Sequence, residues 1–243
     1  MKLILTNILA LFTLLISITS CKKDDISTQL NSPTIKAEGR ISGIALKDHI
    51  LPNGSIIRIK YIDTDSKNEW FKNEQVLILK QLVKESTEAW EKHANIKFEF
   101  IDNDKDADVR IILDFFVFRD DLPTGSYNRY IDDQDKPNMK LRYRFGQSNN
   151  SFRATALHEF GHVLGLDHEH CHPDSKVNIS QLDGIDQMPR DLETGYFHHK
   201  TYDPLSIMHY GFPGSMTKDG KDIKENLELS AGDITFIQTL YPF

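Results

Sequence analysis

His158-Glu159-Phe160-Gly161-His162-Val163-Leu164-Gly165-Leu166-Asp167-His168 is the stretch from which the rest of the 243-residue chain is read. His158 and His162 are four apart, so on a helix both imidazoles leave one face and aim at one spot. Glu159 is the next residue round, near enough to touch a water at that spot without being a ligand. Gly165 tolerates the positive φ that ends a helix and turns the chain back, which lets His168 supply a third nitrogen. Three imidazoles suit one Zn2+ ion, and three protein ligands leave a fourth position open, as in catalytic rather than structural sites. The spacing H-E-x-x-H-x-x-G-x-x-H therefore predicts a helix carrying a metal centre at its C-terminal end.

A second segment lies about forty residues downstream: Ser206-Ile207-Met208-His209-Tyr210, preceded by Tyr202-Asp203. The two motifs in this order resemble the metzincins. The finer likeness is to the astacin family, in which the third His is followed by Glu, as in His168-Glu169, and the methionine turn reads S-I-M-H-Y after Tyr-Asp. Leu229-Ser230-Ala231-Gly232-Asp233-Ile234 is similar to the start of the last astacin helix, so the resemblance spans roughly residues 50–243.

That resemblance implies an α+β fold, a two-lobed astacin-like catalytic domain with a twisted mixed sheet, a long zinc-binding helix and a C-terminal helix. It implies a zinc-dependent endopeptidase acting on an extended polypeptide, with water activated at the metal and Glu159 as general base. Tyr210 takes the family's role of a resting-state zinc ligand that swings away to hydrogen-bond the tetrahedral intermediate. Met208 becomes an apolar floor beneath the metal, not a ligand. Glu169 is expected near the N-terminal ammonium made by activation, for which Arg40-Ile41 is the expected cut. Substrate is expected to pair with an edge strand, 126–131 here. The chain departs from the family in three places. The pro-peptide motif F-x-G-D is missing from residues 22–49, His170-Cys171-His172-Pro173-Asp174 stands where an Arg is usual, and the four disulfide cysteines have no counterparts.

The N-terminus reads as an export signal over residues 1–20: basic Met1-Lys2, then a mainly apolar run that Thr6 and Asn7 make a poor permanent span. Ile18-Thr19-Ser20-Cys21 resembles a bacterial lipoprotein box, which makes Cys21 the lipidation candidate, and Lys22-Lys23-Asp24-Asp25 resembles a surface-export tag. The expectation is an exported protein, secreted or anchored to the outer membrane or cell surface. Ordinary cleavage with a chance Cys, and a Cys21 thiolate folded onto the zinc to hold the enzyme latent, are the alternatives. Cys171 is read as a packed thiol. Residues 21–46 read as linker or pro-segment, and 47–243 as the peptidase domain. A net charge of −7 argues against a nucleic-acid partner, and a monomer is expected.

The pattern predicts strands at 55–62, 96–101, 108–114, 126–131 and 139–145. Helices are predicted at 71–94, with Val76, Leu79, Leu82, Val83 and Trp90 inward, at 151–164, and at 230–240 with Ser230 as N-cap and Asp233 closing a capping box. His170 and His172 read as structural or rim residues, His209 as pointing away from the metal, and His49, His93, His198 and His199 as surface or loop. Acidic runs at 102–108 and 132–135 read as solvated loops. From another class, the chain could be a zinc-binding adhesin-like binder with little catalysis; the retained Glu159 argues against it, since binding zinc does not require it.

Overall fold

Short runs of β-branched and aromatic residues build a five-stranded sheet, and the apolar stripes of two helices pack against it. The structure, a computed structural model, describes residues 43–62, 73–102, 105–116, 124–178, 195–198 and 201–243. The strands are β2 (Ile56–Tyr61), β3 (Lys97–Phe100), β4 (Val109–Phe116), β5 (Gly125–Tyr127) and β6 (Met139–Arg144), in the order β3-β2-β4-β6-β5. The first four run parallel and β5 runs antiparallel to β6 at the edge. Alternation buries Ile57 and Ile59, Val109, Ile111 and Leu113, and Met139 and Leu141. Phe98 is buried, whereas Phe100 on the same face is 37% exposed. It ends the edge strand β3 and stacks on Tyr61.

Helix α1 (Asn73–Glu91) ends three residues before the expected end at 94, because the chain turns at His93 to enter β3. Leu79, Val83 and Trp90 are buried along it. Helix α2 (Asn149–Val163) begins two residues before the expected start, because Ser148 is the N-cap and accepts from the Ser151 N–H at 3.2 Å. The two helices are tied at matching one-turn intervals. Ser86 Oγ donates to the Arg153 carbonyl at 3.0 Å, and Trp90 Nε1 donates to the Leu157 carbonyl at 3.0 Å. Helix α3 (Ala231–Leu240) starts at the expected Ser230 cap with both capping-box bonds present.

The expected strand at 126–131 is only the three residues of β5, and the chain then turns at Arg129 and Tyr130. A second sheet pairs β1 (Ile44–Leu46) with β7 (Tyr196–His198), antiparallel. These β1 residues lie in the stretch read as linker, yet Ile44 and Ala45 are fully buried. Residues 37–243 form one compact unit. The expected signal segment, Cys21 and Arg40-Ile41 lie outside the described residues, among which no helix is long and apolar enough to cross a membrane. The architecture is α+β, as the sequence predicts.

Candidate metal centre and active site

The last two turns of α2 present His158 and His162, and Gly165 turns the chain back with φ +87°. A Cβ at Gly165 would also stand 2.8 Å from the His49 carbonyl oxygen, so conformation and space both call for glycine. His168 follows the turn. One ring atom from each of His158, His162 and His168 lies within 4.8 Å of the others, close enough to hold one metal ion.

The backbone fixes how these rings face. His158 Nδ1 donates to the Ile207 carbonyl and His162 Nδ1 to the Leu166 carbonyl, both at 2.9 Å. Each bond puts the proton on Nδ1 and leaves Nε2 as a lone-pair donor. His158 Nε2 is buried and meets no donor or acceptor among the described residues. His162 Nε2 approaches His168 Nε2 to 3.1 Å. Converging nitrogen lone pairs repel one another unless a cation or proton lies between them, so this donor set fits a zinc ion. Burial, with the neighbouring imidazoles next, holds His158 well below the ordinary histidine value and therefore neutral, the form a metal needs.

Glu159 lies beside them, 5% exposed. Burial pushes its carboxyl up to about 8, and Oε2 has no partner among the described residues. A dication held by the imidazoles would pull it back down. Tyr210 stands on the open side, 41% exposed, its hydroxyl 2.8 Å from His168 Nε2. His158, Glu159, Tyr210, Gly125, Thr155 and Phe212 line a common cleft of about 730 Å³.

The methionine turn is held from below by the first turn of α3. Asp233 accepts from Ser206 Oγ at 2.6 Å, from the Ile207 N–H at 2.8 Å and from the Ser230 N–H at 2.9 Å. Burial still pushes its carboxyl up to about 6 against those donors. Met208 is buried and packs on the α2 backbone, where a Cβ on Gly161 would come 2.4 Å from its Sδ. Glu169 links the third histidine to this turn. Its N–H donates to the Met208 carbonyl at 3.0 Å and its Oε1 accepts from the Asp203 N–H at 2.8 Å. Burial raises Glu169 well above the usual carboxylate range.

The structure thus brings His158, Glu159, His162, His168, Met208 and Tyr210 together, with Glu169 behind them. His170 and His172 are buried, which makes them interior residues and not the rim. His209 turns away from the centre, accepting from Tyr202 Oη and donating to the Tyr210 carbonyl, both at 2.6 Å; burial lowers it to about 4. Cys171 is fully buried, as a packed thiol should be. Three residues near the site escaped the sequence reading. Arg129 donates to the His162 carbonyl at 3.0 Å, placing a cation at the C-terminal end of α2. Tyr241 Oη donates to the Leu164 carbonyl at 2.7 Å. A Cβ at Gly125 would come 2.4 Å from Glu159 Oε1. None lies in a motif: two of them donate to backbone carbonyls, and the third leaves room by having no side chain.

No protein-family model and no curated protein matches the chain. Solved structures do. A structure of myroilysin matches with a TM-score of 0.66 and 25% identity, over 83% of this chain and 99% of that one. A crystal structure of myroilysin matches with 0.56 and 24%, over 80% and 86%. High choriolytic enzyme 1, a hatching enzyme zinc-protease from the medaka fish Oryzias latipes, matches with 0.45 and 18%, over 85% and 96%. The chain has the α+β, astacin-like architecture that its motifs predict, similar to myroilysin along nearly all of that chain.

Proposed function

We propose that the protein is a zinc-dependent endopeptidase of astacin type. The observation that carries this reading is the convergence of three lone-pair nitrogens beside a buried carboxyl at the floor of an open cleft. His158, His162 and His168 would hold the ion, which when bound acts as a Lewis acid toward water and the scissile carbonyl. Glu159 takes the proton as water attacks and returns it to the leaving amine, so one carboxyl serves as base and then acid. Tyr210, exposed to the cleft, would turn its hydroxyl from His168 to the developing oxyanion. Met208 supplies an apolar floor, and Glu169 anchors the His168 segment to the methionine turn.

The substrate in this reading is an extended polypeptide laid along β5, the edge strand beside the cleft. The astacin-like motifs and the shared fold support it. Incubating the zinc-loaded protein with unfolded casein, with and without a chelator, tests it: internal cleavage that disappears on chelation is expected, and intact casein in both would refute it. We further propose that the chain is exported and lipidated at Cys21; an intact mass lacking a diacylglyceryl group would remove that proposal.

A further inference from the structure

We infer that Gly125 is a positioning residue for the base: the edge strand carries no side chain here so that the Glu159 carboxyl can stand where it works. The inference deepens the peptidase reading and rests on it. Gly125 has no positive φ, so its backbone conformation does not call for glycine. Space does. A Cβ at this position would lie 2.4 Å from Glu159 Oε1, 2.8 Å from Glu159 Cγ and 2.7 Å from Thr155 Cγ2.

No backbone atom is among these three, so the relief open to a larger residue is to swing a side chain. Thr155 is one turn before Glu159 on α2, and its Oγ1 bonds the Ser151 carbonyl at 3.2 Å and Thr124 Oγ1 at 3.3 Å, which holds its methyl in place. The Glu159 carboxyl has no such tether at Oε2 and is the group that gives way. A methyl at 125 would therefore leave the fold intact and displace the base.

The same strand sets where a substrate lies. The Thr124 carbonyl accepts from the Arg142 N–H at 2.7 Å, and the Asn128 N–H donates to the Asn138 carbonyl at 2.8 Å. Even-numbered residues of this strand thus turn their backbone groups toward β6, and Gly125 and Tyr127 turn theirs to the open edge. A peptide added to that edge would pair with Gly125 directly above the base.

The test compares full-length, zinc-loaded wild type, Gly125→Ala and, as a control on the neighbouring strand β6, Lys140→Ala, whose side chain is exposed. Turnover and KM on one peptide, zinc content, melting temperature and a crystal structure of Gly125→Ala are measured. The expected result is a kcat loss on the order of 100-fold in Gly125→Ala, with KM, zinc and melting temperature unchanged, the Glu159 carboxyl displaced, and Lys140→Ala like wild type. Undiminished kcat, a carboxyl in its wild-type place, or a joint loss of zinc and melting temperature would overturn the proposal, the last by making the role structural. If wild type hydrolyses nothing, the peptidase reading falls, and the carboxyl position in the Gly125→Ala crystal still decides the role of Gly125.

Discussion

Two backbone carbonyls, those of Ile207 and Leu166, decide what His158 and His162 can do, because each takes an Nδ1 proton and turns Nε2 toward the centre. The histidines that converge were legible in their spacing; their tautomers were not, since both partners come from the fold. Tyr210 is the residue whose role is most open to test. Its hydroxyl is already near His168 and exposed to the cleft. Tyr210→Phe should keep zinc and lower kcat by about 100-fold with little change in KM, as loss of one oxyanion donor does; an undiminished kcat would assign Tyr210 to packing. Gly161 is a second case. Gly161→Ala would press on the buried Met208 sulfur and is expected to cost about 1–3 kcal/mol, read as a lowered denaturation midpoint; an unchanged midpoint would show that Met208 has room to move.

At the scale of elements, α3 reaches the site through one carboxylate. Asp233 closes its own capping box and holds Ser206 and Ile207, so the helix start also sets the methionine turn. The capping box could be read from Ser230 and Asp233, but its second use could not, because it joins residues 26 and 27 positions apart. Burial raises Asp233 from 3.8 to about 6. The folded chain then binds that proton more tightly than the unfolded one. This carboxyl's contribution to stability is full below about pH 4 and is lost as pH rises through about 6, on the order of 3 kcal/mol. A carboxyl titration by NMR should show a midpoint near 6; a midpoint at or below 4 would mean that the three donors outweigh burial. Strand lengths show the complementary limit. The period-2 patterns marked β2, β4 and β6 within a residue or two, whereas β1 went unread because three residues at the end of a polar stretch carry no period. The stretch 126–131 was overlong because Arg129 leaves the strand to reach the end of α2.

At the scale of the molecule, the metal would join three separately held pieces: the end of α2, the Gly165 turn and, through Glu169, the methionine turn on α3. Binding to the folded state alone raises stability by mass action. Chelation should therefore lower the melting temperature and zinc should restore it; a melting temperature indifferent to both would mean that the three histidines are not a metal site. The fold class was legible because a few motifs in fixed order tie a helix, a turn and a final helix to one centre. The cleft walls were not, because Glu225 and Asn226 reach it from a loop that no periodicity marks, and Phe145, read as the end of a strand, lies in the turn after β6. The most direct measurement is hydrolysis of unfolded casein by wild type beside Glu159→Ala, with zinc quantified in both. Cleavage by wild type, and none by a variant holding equal zinc, is the predicted result. Equal zinc in both with cleavage by neither would contradict a peptidase and leave a zinc-holding binder.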